Sequence, residues 1–195
     1  MSRLAVFFPG IGYTADRPLL HYSRRIAVDL GYEIRLLAYS GFPANVMGDR
    51  DKMTECCRIA LAQAARLLSD VEWASYEDIL FVGKSVGTSI AAWFAARSPV
   101  RERIRLVLYT PLEETFSLPT ARAVVFTGTN DPWVGGADSR IPSICKERDL
   151  PCVVIRGGNH SLETPDLQED IRNLQWIIKE TESFIRGGAP HNTDA

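Results

Sequence analysis

Residues 83–87 read Gly83-Lys84-Ser85-Val86-Gly87, a serine framed by two glycines directly behind the apolar run of residues 79–83. A serine hydroxyl is a weak nucleophile until a neighbouring base takes its proton. The G-x-S-x-G pattern serves that chemistry when it lies on a strand–turn–helix. The turn is then tight and strained, and strand and helix approach too closely for side chains on either side of the serine. Gly83 and Gly87 leave that space free, and Ser89, Ala91 and Ala92 keep the following helix small enough to lie near a sheet. The N-terminus of such a helix turns N–H groups and the positive end of its dipole toward negative charge developing on a reacting carbonyl. An activated serine also needs a base. The sequence holds three histidines, His21, His160 and His191.

Apolar runs and amphipathic stretches alternate along the chain. Residues 4–8 read as a strand, and residues 16–30 as a helix with Asp16 as its N-cap and Gly31 as its stop. A second strand is expected at 33–39, a long helix at 49–69 and a third strand at 79–83. A helix over 86–97 ends at Ser98-Pro99. Strands at 104–109, 123–127 and 152–156 and helices at 141–148 and 167–185 complete the series. Six strands mostly separated by helices predict an α/β fold, a mainly parallel sheet with helices on both faces. Right-handed crossovers and a reversal after the second strand give the order 2-1-3-4-5-6. Residues 1–186 are expected to form a single domain, and the Gly/Pro-containing residues 187–195 a frayed tail. Such a sheet carries its functional loops at the carboxyl ends of its strands.

Three of those loops resemble the α/β-hydrolase superfamily, and the resemblance spans essentially the whole ordered chain. Gly83-Lys84-Ser85-Val86-Gly87 is similar to its nucleophile elbow. Gly128-Thr129-Asn130-Asp131-Pro132 is similar to its acid loop, and Gly157-Gly158-Asn159-His160-Ser161-Leu162 to its histidine loop. The order Ser, Asp, His matches the family's order. The resemblance implies a triad of Ser85, Asp131 and His160. His160 would take the serine proton and return it to the leaving group, while Asp131 would hold the imidazole. His160 is also favoured because His21 falls in the first helix and His191 in the expected tail. Glu113, after the fourth strand, is the nearest rival for the acid, and Asp138 a more distant one. Oxyanion donors are expected from the backbone N–H of Val86 and of Ile11 or Gly12, in the loop Pro9-Gly10-Ile11-Gly12-Tyr13. Tyr13 and Trp133 flank these loops and are candidate substrate-lining residues. Lys84 is expected to be a solvated or ion-paired neighbour of the elbow. The family's antiparallel N-terminal strands have no counterpart here, and residues 110–122 are too few for a cap domain, so the chain reads as a minimal, capless member.

Composition narrows the rest. The 195 residues are 46% hydrophobic and 24% charged, with a formal charge of -2, which offers no electrostatic attraction for nucleic acid or an anionic membrane. Arg101, Arg103 and Arg105 are expected on an exposed face. No run approaches the roughly 20 apolar residues that span a bilayer, and the N-terminus lacks the pattern of a secretory signal, so a cytoplasmic location is expected. Cys56, Cys57, Cys145 and Cys152 have no zinc spacing and read as reduced thiols, so neither metal nor cofactor is implied. The function expected is hydrolysis of a small ester or thioester through an acyl-enzyme on Ser85. Two other classes stay open. One is a hydrolase fold serving only as a binding module. The other is a dinucleotide site at Gly10-Ile11-Gly12-Tyr13-Thr14-Ala15, weakened because no acidic residue closes the second strand.

Overall fold

The computed structural model describes residues 2–120 and 122–188; His191 and residues 189–195 of the expected tail lie outside the described residues. Six strands, β1 (Arg3–Phe8), β2 (Glu33–Leu36), β3 (Asp78–Lys84), β4 (Ile104–Tyr109), β5 (Ala123–Gly128) and β6 (Cys152–Ile155), form one sheet. Its order is β2-β1-β3-β4-β5-β6 and every pair is parallel. Five helices accompany it: α1 (Pro18–Asp29), α2 (Arg50–Leu67), α3 (Val86–Arg97), α4 (Ile141–Glu147) and α5 (Leu167–Ile185). Among the described residues no α-helix joins β4 to β5; that connection carries the 3-10 turn Glu113–Ser117.

Strand alternation divides the core in two. Val6, Phe8, Phe81, Leu106, Leu108 and Val125 face α2, α3 and α4 through Ala60, Ala64, Ile90, Ala91 and Ile141. Ala5, Phe7, Leu80, Val82, Val107 and Phe126 face α1 and α5 through Leu19, Leu20, Ile26 and Ile177. The central strands are buried on both faces, which is why they read as unbroken apolar runs rather than alternating ones.

Three expectations change. α1 begins at Pro18, with Arg17 rather than Asp16 at its N-cap. Proline suits the first helical turn, where no N–H is needed, and it drives the preceding residue out of helical space; Arg17 has φ -74 and ψ 151. Asp16 instead lies 3.6 Å from Arg24. β2 is shorter than expected because it is an edge strand paired only with β1, over Leu4 to Phe7. Arg105 does not lie on an exposed face: its guanidinium bonds both oxygens of Asp78, at 3.0 and 2.8 Å, and two carbonyls at the end of α5.

Candidate active site

The carboxyl ends of β1, β3, β5 and β6 bring four loops together. Ser85 follows β3 and occupies the N-cap position of α3, with φ 54 and ψ -126. That conformation costs about 1–3 kcal/mol in a non-glycine residue and persists only where the surroundings enforce it. Here the Ser85 N–H donates to the Tyr109 carbonyl at 3.0 Å, and its carbonyl accepts from the Thr88 N–H at 2.9 Å. The two glycines of the turn have concrete neighbours. A Cβ at Gly87 would stand 2.0 Å from the Phe8 carbonyl oxygen, and one at Gly83 would stand 2.8 Å from the Thr88 Cα. Serine is a favoured N-cap residue, yet the Ser85 side chain makes no cap bond. Its Oγ lies 2.8 Å from His160 Nε2 instead.

His160 is held from its other side. Nδ1 lies 2.7 Å from Asp131 Oδ2. A carboxylate can only accept, so Nδ1 is the donor and Nε2 is left to accept the Ser85 O–H. The Asp131 side chain is fully buried, and its other oxygen accepts the Trp133 N–H at 3.0 Å. Burial pushes the His160 pKa below 6.5; the Asp131 hydrogen bond opposes that shift and the Lys84 charge adds to it. The imidazole is therefore neutral at pH 7, as a proton acceptor must be.

Backbone bonds fix the acid and histidine loops to each other. The Asn130 N–H donates to the Gly158 carbonyl at 2.9 Å, and the Gly157 N–H to Thr129 Oγ1 at 2.8 Å. A Cβ at Gly128 would stand 2.1 Å from the Gly158 oxygen, so these loops approach backbone to backbone. Asn159 organises the turn through Oδ1, which accepts the Ser161 N–H at 2.7 Å and the Glu163 N–H at 3.2 Å. Sequence reasoning passed over Asn159, although asparagine beside a functional residue in a glycine turn is a recognisable turn-former.

The fourth loop follows β1. Gly10 and Tyr13 exchange backbone bonds of 3.2 and 3.4 Å, which leaves Ile11 and Gly12 as the central residues of a turn with their N–H groups outside that pair. Gly10 packs against Ser85, a Cβ there lying 3.1 Å from Ser85 Cβ. Val86 is the first residue of α3, so its N–H has no acceptor within the helix.

The remaining candidates separate clearly. Glu113 is exposed and lies 3.9 Å from Arg140, and Asp138 lies exposed in the 3-10 turn Gly136–Asp138, whereas Asp131 bonds the imidazole. His21 Nδ1 is 3.3 Å from Arg24 on α1. Trp133 stacks on the His160 ring, with centroids 5.2 Å apart. Tyr13 is held from within the fold, its hydroxyl accepting the Leu19 N–H at 3.1 Å.

Lys84 is not solvated, being only 1% exposed. As the last residue of a central strand, it is turned by alternation to the face that α1 and Tyr13 cover, and its Nζ lies 5.0 Å from the Tyr13 ring centroid. Burial pushes its pKa down to about 7, against the pull of Asp131 and Glu163.

Among the described residues no group of three His, Cys, Asp or Glu side chains is arranged to hold a metal ion. No helix among them is long and apolar enough to cross a membrane.

No protein-family model matches the sequence, and no curated protein matches it. Solved structures do match. A protein of the alpha/beta superfamily from Xanthomonas campestris pv. campestris, described as a candidate hydrolase, superposes with a TM-score of 0.64 at 15% identity, over 96% of this chain and 99% of that one. An alpha-beta serine hydrolase homologue from Coxiella burnetii gives 0.60 at 18% identity, over 91% and 84%. XC6422 from Xanthomonas campestris, a serine hydrolase without lid, gives 0.62 at 13% identity, over 98% and 84%. With the strand order and the turn after β3, these likenesses establish that the chain has the α/β-hydrolase fold.

Proposed function

We infer that the protein is a serine hydrolase that cleaves an ester or thioester bond of a small substrate through an acyl-enzyme on Ser85. The observation that carries this reading is the unbroken relay from Asp131 through His160 to Ser85, with links of 2.7 and 2.8 Å. In the first half-reaction Ser85 Oγ attacks the carbonyl carbon while its proton passes to His160 Nε2. The carbonyl oxygen becomes an oxyanion facing the N–H groups of Val86 and of Ile11 or Gly12. Collapse breaks the bond to the leaving oxygen or sulfur, which takes the proton from Nε2. In the second half-reaction water attacks the acyl carbon and gives its proton to Nε2. The Oγ–acyl bond then breaks, the acid departs and Oγ recovers the proton. Asp131 holds the imidazole tautomer throughout and stabilises the imidazolium.

No metal or cofactor has a role in this cycle, and the partner is a small molecule rather than nucleic acid or a membrane. A reducing cytoplasm suits the four cysteines, none of which forms a disulfide. Hydrolysis of para-nitrophenyl acetate and of a short acyl thioester tests the reading. The purified protein turns over at least one of them, and Ser85→Ala loses about a millionfold in turnover with its fold intact. Equal turnover by Ser85→Ala would contradict the mechanism.

A further inference from the structure

A groove of about 1010 Å³ adjoins this site on the sheet face that carries α2 and α3. The helical repeat sets its walls: Met53, Cys57 and Leu61 on α2, and Ile90 and Trp93 on α3. The α2 row stands at i, i+4 and i+8, so a rise of about 1.5 Å per residue makes it ~12 Å long. Trp133 lines the same groove while stacking on His160, which places the groove beside the triad.

The chemistry of the lining selects the occupant. Its hydroxyls are already engaged: Ser89 Oγ bonds Thr115 Oγ1 at 2.9 Å, and Thr54 Oγ1 donates to the Arg50 carbonyl at 2.9 Å. Two of the rim charges are met by opposite ones, Arg140 by Glu113 at 3.9 Å and Arg58 by Glu55 at 2.6 Å, while Arg50, Glu114 and Asp138 stand exposed at the mouth. Burial pushes the Cys57 thiol up to about 11, so it stays a neutral, weakly polar surface. Along the wall of Met53, Cys57, Leu61, Ile90 and Trp93, a sugar or nucleotide would lose hydrogen bonds to water without recovering them. A flexible hydrocarbon loses none, and the methionine wall can adjust to its shape.

Resting on the hydrolase reading above, we propose that this groove binds an extended aliphatic chain of the substrate, attached either to the carbonyl that Ser85 attacks or to its leaving group. The substrate class is then a medium- or long-chain ester or thioester.

The test combines turnover with binding. Wild-type kcat/KM is measured on para-nitrophenyl acetate, butanoate, octanoate and dodecanoate for the acyl arm, and on dodecyl acetate against ethyl acetate for the leaving-group arm. One arm rises about two- to fourfold for each methylene that enters the groove, and the arm that rises identifies where the chain is attached. Met53→Lys places a charge in the wall and lowers the long-to-short ratio about tenfold or more; Leu61→Gln repeats the test with a neutral change if the first variant misfolds. Calorimetry on Ser85→Ala reads binding of dodecanoate against butanoate without turnover, and dodecanoate binds more tightly. Ser85-dependent hydrolysis that is flat or falling with length in both arms overturns the groove and leaves the hydrolase reading standing. Absent hydrolysis, with dodecanoate binding that Met53→Lys abolishes, overturns the hydrolase reading and leaves the groove. Neither turnover nor binding overturns both.

Discussion

Ser85 occupies a position where its side chain would ordinarily cap a helix, and its hydroxyl lies against His160 instead. The proposed role of Ser85 as nucleophile fits that exchange: backbone strain held in place and the cap bond forgone. Asp131 complements it from a fully buried position, one oxygen on a backbone N–H and the other on the imidazole. Asp131→Asn should lower turnover of para-nitrophenyl acetate about ten-thousandfold by upsetting the tautomer, while Glu113→Gln, which removes a charge at the groove rim beside Arg140, should leave turnover of that short ester within a few-fold; the reverse ranking would move the acid to the loop after β4. Lys84 acts on the same histidine at longer range. Because the base must be neutral, activity should fall on the acid side through the lowered His160 pKa, at a pH below 6.5. Lys84, with its own pKa near 7, is protonated across that limb and helps hold the His160 value down. Lys84→Met should therefore move the acid limb of the kcat/KM profile upward. An unmoved or lowered limb would show that the lysine charge does not reach the imidazole.

At the scale of elements, the site is a product of close backbone approach. Gly87 brings α3 against the β1 carboxyl end, and Gly128 brings the acid loop against the histidine loop, each with a neighbouring oxygen about 2 Å from where a Cβ would be. Gly87→Ala should cost about 3 kcal/mol, the upper end of overpacking, read as a lower urea midpoint. An unchanged midpoint would mean that α3 can move away freely. The glycines and the three loops were legible in the sequence because their spacing reports backbone constraints within one turn. α3, β4 and α5 begin and end where their apolar pattern does. The edge strand was read too long: residues 37–39 are apolar enough to continue, but the ladder to β1 ends at Leu36, with one last bond from the Leu37 N–H to the Phe7 carbonyl. Burial of Lys84 was not legible at all. Nothing local marks a charged residue at the end of a central strand as covered; Tyr13, which covers it, arrives from another loop.

Across the whole molecule, the sheet order and its parallel sense followed from alternating strand and helix patterns with right-handed crossovers. The groove between α2 and α3 did not, because its wall residues have the same types and spacing as a packed helix face. Only the tertiary arrangement leaves Met53, Cys57 and Trp93 facing open space. The amino end of the sheet carries a different kind of order: Asp78, Arg105 and Tyr32 join β3, β4 and the start of β2 with bonds to the end of α5. The molecule thus keeps these interlocked charges at the amino end of the sheet and Ser85, His160 and Asp131 at its carboxyl end, where open parallel sheets carry their sites.

The claim on which the rest depends is that Ser85 is an activated nucleophile. Labelling the purified protein with a fluorophosphonate and locating the adduct by peptide mass spectrometry measures that directly. A single adduct on Ser85, absent from Ser85→Ala and slowed in Asp131→Asn, is the predicted result. A folded protein that takes up no label on Ser85, or labels equally after Ser85→Ala, would contradict it.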